Sequence, residues 1–135
     1  MSAFSSRSAE SGLDPLLAEL VKIRASQING CAYCLDMHTK DARALGETEQ
    51  RLYAVSAWWD TPFFSAAERA ALRLTEAVTR LEHQEVPDEV LDEARRYFDD
   101  EAVGKLLLAI VVINSWNRLM IVQRPPVGDY VSPHS

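Results

Sequence analysis

Only two of the 135 residues are cysteine and only three are histidine. His83 and His134 stand alone, so no second Cys/His cluster exists to complete a four-ligand structural zinc site. There is no glycine-rich phosphate loop, and no haem, nucleotide or other cofactor site is expected. Basic residues are in deficit, 14 against 20 acidic, for a net charge of -6, which argues against a nucleic-acid partner, since phosphate binding wants a basic face. Long hydrophobic runs are missing too. The longest, residues 106–113, is bounded by Lys105 and Asn114 and is far too short on its own to span a bilayer, so no membrane is expected. Residues 1–12 are rich in Ser and have no apolar core, so they read as a frayed tail rather than a signal peptide. The expected location is therefore cytoplasmic, where a lone cysteine pair is catalytic or metal-binding rather than a structural staple. No strand-like alternation and no internal repeat stand out.

What is present is ordinary globular material, 47% hydrophobic and 25% charged, long enough for one domain with a real core. Its periodicity is helical throughout, and the expected class is all-α. Leu13, Leu16, Leu17, Leu20, Val21 and Ile28 line one face of a first helix that stops at Asn29-Gly30. A second helix is expected from near Cys31 to Gly46, and a third from about Thr48 to Trp59. Ser65 and Glu68 read as a capping box opening a fourth, with a stripe of Ala67, Ala70, Ala71, Leu74, Ala77, Val78 and Leu81. Val86-Pro87-Asp88 opens a shorter helix to about Phe98, and Asp99-Asp100 opens the last, to about Val122. The domain is thus expected over residues 13–122, between the tail of residues 1–12 and an irregular C-terminal tail of residues 123–135 marked by Pro125, Pro126, Gly128 and Pro133.

The chemistry-bearing feature is Cys31-Ala32-Tyr33-Cys34 with His38 four residues on. Spacings of three and four put Cys31, Cys34 and His38 on one helical stripe. A helix N-terminus and a nearby imidazole both favour a thiolate, and a second cysteine one turn away can capture an oxidised first one as a disulfide. Three readings compete. Two small buried hydrophobes could fall one turn apart by chance. A zinc site could use the three side chains, with Glu19 as the available fourth ligand. The third reading, a dithiol redox pair, accounts for the histidine and the helix start together.

Glu19, eleven intervening residues, Cys31-x-x-Cys34 and then His38 resemble the Glu/Cys/Cys/His pattern of AhpD-like alkylhydroperoxidases, within the carboxymuconolactone decarboxylase family. Residues 23–34 (IRASQINGCAYC), 68–72 (ERAAL) and 113–119 (INSWNRL) are similar to that family's signatures, and the resemblance spans about residues 13–122. It implies an all-α fold assembling as a homotrimer or homohexamer, and reduction of an organic hydroperoxide or hydrogen peroxide with electrons from a dithiol donor. By position it implies Cys34 as the peroxidatic cysteine, Cys31 as the resolving one, and His38 with Glu19 as a proton relay. Helix-dipole physics favours Cys31 as the more acidic thiol, whereas the pattern favours Cys34, one turn before His38. The best-described members carry a histidine immediately before the second cysteine, where this chain has Tyr33. A phenol, with an ordinary pKa of about 10, does not shuttle protons near neutrality as imidazole does.

Other residues have plainer readings beside functional ones. Glu19 lies three residues before Lys22, so a solvated ion pair is the bland alternative to the relay. Arg24 falls inside an apolar stripe and needs a carboxylate from another helix. The aromatic stretch of residues 58–64 is expected to pack in the core or at a subunit contact, or else to line an apolar pocket beside the dithiol. His83 follows a helix end, where a cation is favoured. The wider family also includes ring-opening and decarboxylating members that do not need paired cysteines, and a non-enzymatic redox switch is a further alternative.

Overall fold

The structure, a computed structural model, describes residues 12–133. The expected N-terminal tail therefore lies outside the described residues, except for Gly12. Six α-helices follow in order: α1 Pro15–Asn29, α2 Ala32–Ala44, α3 Glu49–Ala54, α4 Ala66–Arg80, α5 Asp88–Tyr97 and α6 Asp100–Gln123. Among the described residues there is no strand, and the fold is all-α, as expected. α1 is the hub: it packs against α2, α4 and α6.

Local chemistry explains most boundaries. Asp14 caps α1 by accepting from the Leu16 N–H at 3.1 Å, with Pro15 in the first turn, where its missing N–H is harmless. Gly30 ends α1 at φ 74°, a left-handed conformation that an L side chain adopts only with strain, and donates its N–H to the Ser26 carbonyl at 2.9 Å. α4 opens with the expected capping box: the Ser65 hydroxyl accepts from Glu68 N–H and the Glu68 carboxylate accepts from Ser65 N–H.

Two expectations need correction. The third helix is α-helical only to Ala54; Val55–Asp60 is a 3-10 segment with a kink at Ala57 (φ -132°, ψ 35°). The kink coincides with burial of Trp58, whose indole N–H donates to Glu76 of α4 at 2.9 Å, so a tertiary contact overrides local helicity. The stripe of α4 also stops short of Leu81, which turns left-handed at φ 45° and is half exposed.

Two large apolar clusters make most of the core, and a third, smaller one surrounds the cysteine pair. One joins α1, α4, α5 and α6 through Leu17, Val21, Leu74, Ala94, Leu106 and Ile110. The other joins α1, α2, α3, the 3-10 segment and α4 through Leu20, Ile23, Ala42, Leu52, Trp58 and Leu72. By length and composition alone α6 could cross a membrane, although its apolar run read separately is too short. Here its Val103, Leu106, Ala109, Ile110 and Ile113 pack inside the helical core.

Candidate active site

Cys31 and Cys34 are joined in a disulfide across the start of α2, with their Cα atoms 5.4 Å apart. In this form neither sulfur is a thiolate ligand, which removes two of the four groups from the zinc alternative. Cys31 is also the N-cap of α2: its Sγ accepts from the Cys34 N–H at 3.3 Å. The helix start expected from the sequence is therefore capped by a cysteine sulfur of the pair itself. Both cysteines are buried, packed with Ala25 and with Ile113, Trp116 and Met120 of α6, and Tyr33 lies half-buried in the same cluster. The aromatic stretch of residues 58–64 is not part of it: Trp58 and Phe64 belong to the core cluster around Leu20 and Leu72. The apolar wall of the cysteine pair comes from α6 instead.

Glu19 and His38 meet across α1 and α2, with Glu19 Oε2 2.9 Å from His38 Nδ1. His38 sits four residues after Cys34 on the same face of α2. By distance the contact is an ion pair, yet burial pushes the imidazole down to about 3, with the Lys22 ammonium adding to the effect and Asp41 opposing it. The ring is therefore neutral at physiological pH, and the contact is a hydrogen bond from Nδ1–H to the carboxylate. That tautomer leaves the Nε2 lone pair to accept a proton.

The solvated Glu19–Lys22 pair is overturned. Both side chains are buried, with Lys22 Nζ 3.8 Å from Glu19 Oε1. Burial pushes Lys22 down to about 8, against the pull of Asp41. Asp41 itself is buried and accepts from the Tyr130 hydroxyl at 2.7 Å. Glu19, His38 and Asp41 each offer a ligand atom within 4.8 Å of the others, so the trio could hold a metal ion. Lys22 already brings cationic charge to the same cluster. Asp41 and Tyr130 escape the sequence reading, which places Lys22 beside Glu19 but in solvent. Asp41 had a signal, three residues after His38 on one helical face, whereas Tyr130 arrives from 89 residues away.

An amide network fixes the approach to the cysteines. Asn29 Nδ2 donates to Asn114 Oδ1 and to Asn117 Oδ1, each at 2.9 Å, and Asn117 Nδ2 donates to Ser26 Oγ at 2.9 Å. Asn114 also donates to Thr79 Oγ1 of α4 at 3.0 Å. Three helices are thereby locked together two residues before Cys31. Arg24 finds its expected carboxylate in Glu76 of α4, with Nε to Oε2 2.8 Å.

Comparisons with known proteins bear on the family and the fold. Residues 2–77 match the model of the carboxymuconolactone decarboxylase family. The uncharacterized protein YdfG of Bacillus subtilis (strain 168) is 49% identical over 112 residues, covering 83% of this chain and 76% of that protein. Among solved structures, a protein of unknown function from Agrobacterium tumefaciens, named as a candidate AhpD antioxidant defence protein, superposes with a TM-score of 0.89 at 37% identity, covering 96% of this chain and 88% of that one. An uncharacterized peroxidase-related protein from Silicibacter sp. TM1040 has a TM-score of 0.84 at 22% identity, covering 94% and 68%. That last likeness is one of fold.

Proposed function

The chain belongs to the carboxymuconolactone decarboxylase family, and from that premise we propose that it is a thiol-dependent peroxidase acting on hydroperoxides. The observation that carries this reading is the conjunction of a Cys31–Cys34 disulfide with the Glu19–His38 hydrogen bond, four residues beyond Cys34 on the same helix. In the reduced enzyme the Cys34 thiol passes its proton to Nε2 of neutral His38 as a thiolate–imidazolium pair, in which the thiolate and the Glu19 carboxylate together offset the burial that keeps the uncharged ring's proton affinity low. The thiolate attacks one oxygen of the O–O bond. Cys34 becomes a sulfenic acid, and the departing alkoxide or hydroxide takes a proton back from His38 to leave as alcohol or water. The Cys31 thiol then condenses with the sulfenic acid, releasing water and forming the disulfide. A partner dithiol returns both cysteines to thiols by exchange and is itself oxidised to a disulfide. The working compartment is the thiol-reducing cytoplasm.

A competing assignment of the two sulfurs has an observation in its favour. Cys31 Sγ receives the Cys34 N–H at the helix start, an arrangement that stabilises a thiolate on Cys31. Cys34 remains the choice, because a hydrogen-bonded base outweighs a partly compensated dipole.

One set of assays tests both levels. Reduced protein supplied with a generic dithiol should consume alkyl hydroperoxide or hydrogen peroxide, and thiol alkylation should abolish turnover. Cys31→Ser should form a trappable sulfenic acid, and Cys34→Ser should not. The reverse trapping pattern exchanges the two roles. Absence of peroxide consumption by the fully reduced protein would reject the peroxidase reading in favour of the family's lyase chemistry or a redox switch.

A further inference from the structure

The disulfide is sealed. Cys31 is 1% exposed and Cys34 3%, although Ala32 between them meets solvent. On the inner side the sulfurs pack with Ala25 of α1 and Ile113 of α6, both buried. The rest of their surroundings is Tyr33, from the first turn of α2, with Trp116 and Met120, one turn apart on α6. Each of these three is half-buried, packed against the cysteine cluster with one side and open to solvent with the other. The helices around the pair are tied. Asn117, next to Trp116, holds Asn29 and Ser26 of α1, and Asn114 holds Thr79 of α4. Parting α1 from α6 here would break hydrogen bonds of a buried amide, which is costly.

We propose that Tyr33, Trp116 and Met120 are specificity-determining residues of the cysteine pair: a side-chain cover that selects, by bulk and polarity, which reductants reach the disulfide. The inference rests on the reading of Cys31 and Cys34 as the reacting pair. Reduction begins with a nucleophile brought against one sulfur. A dithiol thiolate forms a mixed disulfide there, its second thiol closes a disulfide within the reductant, and both cysteines leave as thiols. With the sulfurs buried and the helices tied, room for that approach comes from turning the cover aside. Met120 is unbranched and rotates easily, whereas Trp116 has the greatest bulk to move. A slender uncharged reductant needs a small opening and gives up little hydration among these side chains. A bulky charged one needs a wide opening and loses hydration that the apolar cover cannot replace. Tyr33, a poor proton carrier near neutrality, thereby has a role in the cover.

The test compares two reductants on the oxidised full-length chain. Dithiothreitol is small and uncharged. Tris(carboxyethyl)phosphine is larger and anionic; its phosphorus attacks a sulfur and ends as the phosphine oxide, with oxygen and two protons from water. Aliquots are freed of reductant by rapid desalting, and cysteine thiols are counted by maleimide labelling and mass. Each rate is divided by that of the same chain unfolded in urea, which cancels the intrinsic reactivity of the reagent. In the folded unaltered protein the phosphine should be slowed more than dithiothreitol, by about tenfold or more. Trp116→Ala, Met120→Ala and Tyr33→Ala should each bring the two factors together, and Trp116→Phe should stay closer to the unaltered protein than Trp116→Ala. None of these changes the net charge, so repulsion of the anionic phosphine is constant and the ratio reads the cover. Circular dichroism checks each fold; should Trp116→Ala unfold, Met120→Ala and Tyr33→Ala decide the outcome. Equal slowing of both reductants in the unaltered protein overturns the proposal, as does a discrimination that survives every truncation. No peroxide enters the measurement. A chain with a selective cover that consumes no peroxide loses the peroxidase reading alone, and a peroxidase without the discrimination loses the cover alone.

Discussion

His38 is buried without charge, and a histidine in that state ties stability to pH. Its folded pKa lies below that of an exposed histidine, so between about 3 and 6.5 the unfolded chain binds a proton that the folded chain refuses. Stability therefore rises with pH across that window and falls on acidification, by up to about 1.4 kcal/mol per pH unit from this one group. Urea unfolding at a series of pH values from about 7 down to 5 should show that slope, and His38→Gln should flatten it. This range lies above the titration of Glu68, which Arg51 and Ser65 hold below the usual carboxylate value. An unchanged slope in His38→Gln would mean that the ring titrates alike in the folded and unfolded chain. At this scale the sequence was legible where spacing along one helix sufficed: Cys31, Cys34 and His38 share α2, and Glu19 was found through the family pattern. Lys22 was seen but read as solvated, because a spacing of three cannot tell a buried ion pair from an exposed one. Tyr130 was invisible, since nothing local connects it to Asp41.

The ends of the helices carry as much of the site as their faces do. Gly30 caps the end of α1 and Cys31 caps the start of α2, so the first cysteine of the pair is placed by a helix break. That break is pinned by Asn117, fully buried on α6, which accepts from Asn29 and donates to Ser26. Asn117→Ala leaves both partners under-satisfied in a buried setting, at a cost of about 1–3 kcal/mol. Denaturant unfolding should register that loss, and turnover of the dithiol cycle should fall with it, because Asn29 stands two residues before Cys31. Full stability in Asn117→Ala would show that the network is incidental. The helix starts and stops here were readable because they are encoded locally, by Asn29-Gly30 and by Ser65 with Glu68. The 3-10 segment Val55–Asp60 was not, because what shapes it is the Trp58 indole reaching Glu76, a contact 18 residues away.

The described residues leave apolar surface uncovered, and five of their eleven exposed large apolar side chains lie on the helix that also walls the cysteine pair. On α6 the inward positions Val103, Leu106, Ile110, Ile113 and Asn117 are buried. Leu108 and Val111 are about half exposed and Val122 is 79% exposed, while Ser115 shares their face of the helix. Outward apolar residues at helical spacing form a stripe, and a stripe is the pattern that a packed partner buries. Tyr53 and Trp59 add exposed aromatic surface outside α6. Homo-oligomers with closed symmetry are the usual solution for such a chain, and the family resemblance points to three or six subunits. We therefore expect light scattering at micromolar concentration to report at least three subunits. Val111→Glu with Leu108→Glu places two charges on the exposed stripe, where like charges repel across a symmetric contact. That double variant should dissociate the assembly while circular dichroism keeps its helical signal, because neither side chain belongs to the buried core. A monomer in the unaltered protein would refute the expectation outright. An assembly that survives both glutamates would move the contact away from this face of α6, to the aromatic surface around Trp59.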